Sequence, residues 1–75
     1  MRTVLVPVSR ELVGRLPADE ILAAIAAHAR EALHDHEATL VMRAMPRETQ
    51  VELDGRVVYF DDFNVIPVKV WTTDA

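Results

Sequence analysis

The chain has 75 residues, is 51% hydrophobic, carries eight basic and twelve acidic side chains for a net charge of −4, and contains no cysteine. That length fits a single domain over residues 1–75, and the missing thiols exclude disulfides, thiolate metal sites, iron–sulfur clusters and cysteine catalysis. The acidic balance disfavours generic nucleic-acid binding, no apolar run is long enough for a membrane span or a signal-peptide core, and a reduced cytoplasmic setting is expected.

Arg2 to Val8 reads as the first strand, with Val4, Val6 and Val8 on one face and Thr3, Leu5 and Pro7 on the other. Pro7 has no amide proton, so its nitrogen must face an edge, a bulge or the end of pairing. Ser9 is placed to cap a short turn from Arg10 to Val13 that Gly14 would stop in a left-handed conformation. Pro17 opens a helix, Asp19 and Glu20 bring negative charge to its amino end, and Ala-rich sequence carries it to about Glu37. At about 100° per residue, Ile21, Leu22, Ile25, Ala29, Ala32 and Leu33 share one stripe that wants a sheet beneath it.

Thr39 to Met45 is a second strand, and Pro46 to Glu48 a turn. Thr49 to Leu53 and Arg56 to Phe60 flank Asp54-Gly55, the strongest hairpin signal in the chain. Asp61 to Asn64 is a polar corner, and Val65 to Trp71 is a last strand containing Pro67. The predicted class is α+β in the order β-α-β-β-β-β: a single-layer, mixed or mostly antiparallel sheet of four to five strands, with one long helix packed on one face. The first two strands are expected to lie parallel across a right-handed helical crossover. Val41, Arg43, Met45, Val58, Phe60, Lys69 and Trp71 are assigned to the opposite sheet face.

The residues that could carry chemistry are few. His28, His34 and His36 invite a metal site, yet residues two apart on a helix diverge by about 200° and His28 lies six positions from His34, so no metal is assigned. Ser9 is the only serine and lacks a nucleophile-elbow context; with only Gly14 and Gly55, no phosphate-cradling loop can be built. No catalytic residue and no cofactor is assigned.

A core this small rarely supplies more than about 3 to 5 kcal/mol, so a partner surface is an economical source of further stability. The expected function is therefore a non-enzymatic protein-interaction module. It would act through self-association, most simply as a dimer, or by binding a host protein, as a phage-type regulator or inhibitor does. It would bury an edge strand or the open sheet face, where Met45, Asp61, Asp62, Phe63, Lys69 and Trp71 are the candidate contact residues. The alternative is an acidic DNA mimic that displays Glu48, Glu52, Asp54, Asp61 and Asp62 toward a nucleic-acid-binding protein.

Overall fold

The computed structural model describes residues 2–53, 55–59 and 64–73. Along the chain these form β1 (Thr3–Ser9), α1 (Arg10–Arg15), α2 (Ala18–Leu33), β2 (Leu40–Ala44), β3 (Gln50–Leu53), β4 (Arg56–Tyr59) and β5 (Val65–Thr72). The architecture is α+β, as the pattern predicts: five strands, every pair antiparallel, with α2 packed against them. Hydrogen bonding divides the strands into a three-stranded ladder ordered β1-β5-β2 and a β3-β4 hairpin.

The expected β1-β2 neighbour pair does not form. Those strands do run parallel, but β5 lies between them and pairs antiparallel with each. Inserting the last strand lets every ladder form in antiparallel geometry, which is slightly more stable per residue than parallel pairing.

The helix-facing parity is set by the valines. Val4, Val6 and Val8 of β1 stand beside Val70, Val68 and Ile66 of β5, and Met42 and Ala44 of β2 continue two of those rows. Ile25 and Ala29 of α2 close on Val6, Val8, Val68 and Val70 to make the core. Val70, in the middle of the central strand, is completely buried. The predicted helix stripe is only partly used, since Leu22 and Ala32 remain exposed.

Two prolines are accommodated by the same alternation of hydrogen-bonded and open pairs. Thr72 donates its amide to the Arg2 carbonyl at 3.0 Å, and Arg10 donates to the Asn64 carbonyl at 2.8 Å. Even-numbered residues of β1 therefore bond inward to β5, and the amide position of Pro7 points away from it, where no proton is needed. On the other side of β5, Met45 donates to the Pro67 carbonyl at 2.8 Å. Pro67 cannot return that bond, and β2 ends one residue earlier, at Ala44.

Helix ends differ from the sequence reading. Ser9 precedes α1 without a side-chain capping bond, and α1 runs past Gly14 to Arg15. Helix α2 stops at Leu33 rather than near Glu37, because His34 takes the left-handed conformation at φ 55°. The Asp35 amide then reaches back to Arg30 at 3.0 Å and the His34 amide to Glu31 at 3.1 Å, the paired bonds of a Schellman stop. Arg2 ties this end to the sheet: its guanidinium donates to the Leu33 carbonyl at 2.9 Å and to Asp35 Oδ2 at 3.0 Å.

In the hairpin, Val51 faces Val58 and Leu53 faces Arg56, with Gly55 in the turn between the strands. Gly55 has φ +81°, the conformation that glycine tolerates without strain. Asp54 itself lies outside the described residues, as does Phe60, which the sequence assigns to the open sheet face.

Candidate functional site

Three features lie along the three-stranded ladder, the first of them on β2. The first is the backbone of that strand. Thr73 donates to the Thr39 carbonyl at 3.1 Å and Met45 to that of Pro67, so the odd residues of this strand bond to β5. The N–H and C=O groups of Leu40, Met42 and Ala44 consequently point outward. Beta2 is the end of the ladder, and no other described strand pairs with it. The free edge has three hydrogen-bonding residues, spaced symmetrically about Met42.

The second feature is apolar and lies on the helix side. A recess of about 240 Å³ opens over β5 and β2 beside α2, with Leu22, Val13, Met42 and Ala44 among its walls. A second one, about 260 Å³, lies between β1 and the two helices, where Leu12 and Leu16 contribute. Leu12, Val13, Leu16 and Leu22 are all more than 40% exposed, an unusual concentration of large aliphatic side chains in water for so short a segment. Ser9 and His28 line the second recess, but no hydrogen bond joins them among the described residues. No three His, Asp or Glu side chains converge on a metal-sized space among the described residues.

The third feature is on the opposite face, hereafter the underside. There the rows read Thr3-Trp71-Val41, Leu5-Lys69-Arg43 and Pro7-Pro67-Met45 across β1, β5 and the strand β2 with its following residue. Thr3, Arg43, Met45, Lys69 and Trp71 enclose a hollow of about 180 Å³. A wider polar hollow of about 500 Å³ continues from it toward Glu48 and Glu52. The hairpin approaches this face: Lys69 Nζ donates to the Glu52 carbonyl at 3.3 Å, and Pro67 is buried.

Of the six contact residues expected from sequence, Met45, Lys69 and Trp71 are brought together around that hollow. Asp61, Asp62 and Phe63 lie outside the described residues. The underside set assigned from sequence is right for Val41, Arg43, Met45, Lys69 and Trp71, whereas Val58 belongs to the hairpin. The apolar shoulder at Leu12, Val13, Leu16 and Leu22 was not anticipated, although Leu12 and Leu16 at i, i+4 between charged residues carried a signal for it. The free edge of β2 had none, since only topology decides which strand is outermost.

Comparison with protein-family models, with curated proteins and with solved structures found no match to this chain.

Proposed function

We propose that this protein is a small, non-enzymatic interaction module that self-associates through the outer edge of β2. The observation that supports it is the symmetric set of backbone groups on Leu40, Met42 and Ala44, which pair with no other strand among the described residues. A two-fold axis through Met42 sets Leu40 against Ala44 of a second copy and Met42 against its own counterpart. Each of the three resulting pairs exchanges both of its hydrogen bonds, so no outward group of the edge is left over. Between these pairs, Arg43 stands opposite the second copy's Val41, and two like charges are not forced together. A continuous sheet across two copies also brings the recess edged by Leu22 and Met42 toward the same recess of its mate.

The acidic DNA-mimic reading gains no such support. Glu48 and Glu52 share their hollow with Arg43, Arg47 and Lys69, a surface of mixed sign rather than a phosphate-like array.

Sedimentation equilibrium of the wild type and of Ala44→Pro tests the proposal. Proline at an outward position leaves the β2-β5 ladder intact but removes one edge donor and places a ring in the path of the incoming strand. The wild type is expected to dimerise with rising concentration and the variant to remain monomeric with an unchanged far-ultraviolet spectrum. A wild type that stays monomeric at millimolar concentration overturns the proposal, as does a variant that dimerises equally well.

A further inference from the structure

The underside hollow holds two cations, Arg43 and Lys69, that make no ion pair among the described residues. Lys69 and Arg43 are directly opposed on β5 and β2, an arrangement that costs stability when both side chains are charged. The ion pairs among the described residues are Arg2-Asp35 and Arg15-Glu11, both elsewhere. Lys69 satisfies one proton on the Glu52 carbonyl, and the guanidinium of Arg43 makes no hydrogen bond among the described residues. Thr3, Met45 and Trp71 complete the lining of the hollow.

We infer that this hollow is a binding site for a small organic oxyanion, a phosphate or carboxylate carried on an apolar, planar body. An oxyanion between Arg43 and Lys69 turns their repulsion into two charge-assisted contacts, with the guanidinium fork suited to bidentate acceptance. Thr3 supplies a neutral donor at the edge, while Trp71 and Met45 offer an aromatic and a polarizable surface to the body of the ligand. The volume is about 180 Å³. It admits one ring with its anionic group and lies below the range of sites that enclose drug-sized ligands. The site uses the face away from α2, so it stands or falls separately from edge pairing.

Trp71 is the only tryptophan, and its emission reports directly on occupancy. The titration uses phenyl phosphate, benzoate, inorganic phosphate and neutral phenol at low ionic strength. Wild type and Leu22→Glu, a variant altered only on the helix side, are compared with Arg43→Gln and Lys69→Gln. Saturable emission changes are expected with phenyl phosphate or benzoate, and whichever of the two binds tighter identifies the anionic group. Inorganic phosphate should bind more weakly, phenol should give no saturation, and each Gln variant should lose about tenfold in affinity or more. Shifts of the Trp71 indole resonance provide a second readout on the same samples. The inference is overturned if neither aromatic anion saturates in the millimolar range, if phenol binds as well as they do, or if both Gln variants bind like the wild type. Binding that is identical in wild type and Leu22→Glu separates this result from the fate of the dimer.

Discussion

The two edges of the three-stranded ladder are treated differently. On β1 the outward positions are Thr3, Leu5, Pro7 and Ser9, and one of them has no proton to offer. Alpha1 follows that strand directly, and β3 passes near it. On β2 the outward positions are Leu40, Met42 and Ala44, all with intact amides and without proline. An edge strand is a template for further pairing, and proteins that must stay apart blunt it with proline, charge or cover. One edge here is blunted and the other left open, which fits a chain that joins one copy of itself and stops.

The largest expected effect comes from moving a proline by a single residue. Arg43→Pro removes a donor that bonds to Lys69 within the ladder and leaves the carbonyl it served unpaired, at a cost on the order of 1 to 3 kcal/mol. That is a large share of the whole stability of a domain this size, about 3 to 5 kcal/mol, so urea denaturation should find its midpoint sharply lowered. Ala44→Pro, next door but facing outward, should keep nearly all of its stability; equal losses in the two variants would refute the assignment of inward and outward amides. Leu22→Glu places a charge at the rim of the apolar recess and should weaken dimerisation about tenfold by light scattering, corresponding to about 1.4 kcal/mol. Its monomer stability should change little, because Leu22 is 51% exposed. The smallest effect on stability is expected for Pro7→Thr, a loss of about 0.4 to 1 kcal/mol through the freer unfolded chain. That variant sharpens the contrast, since an unguarded β1 should permit species larger than a dimer in sedimentation velocity; a profile identical to wild type would mean that Pro7 is not what guards this edge.

Local chemistry was readable in the sequence wherever it was decided locally. The alternation of Val4, Val6 and Val8, the β3-β4 hairpin that turns at Gly55, and the start of α2 after Pro17 each depend on neighbours in sequence. The end of α2 was not readable, because His34 adopts a left-handed conformation that a short polar side chain tolerates but does not demand. That stop is reinforced by Arg2, thirty-one positions from Leu33. Likewise, Lys69 and Trp71 could be placed on one face by parity, but their meeting with Arg43 and Met45 depends on β5 entering between β1 and β2. No spacing in the chain records that insertion. Pro67 shows the same limit: its place in the last strand was legible, and only the fold reveals that the ladder it interrupts is the one with β2.

The account depends most on the outward amides of β2, and hydrogen exchange measured residue by residue reads them directly. Exchange at Leu40, Met42 and Ala44 should slow as protein concentration rises through the dimerisation range, while Thr3, Leu5 and Ser9 on the outer side of β1 exchange at a constant rate. Amides of Leu40, Met42 and Ala44 that exchange equally fast at the lowest and highest concentrations would contradict it.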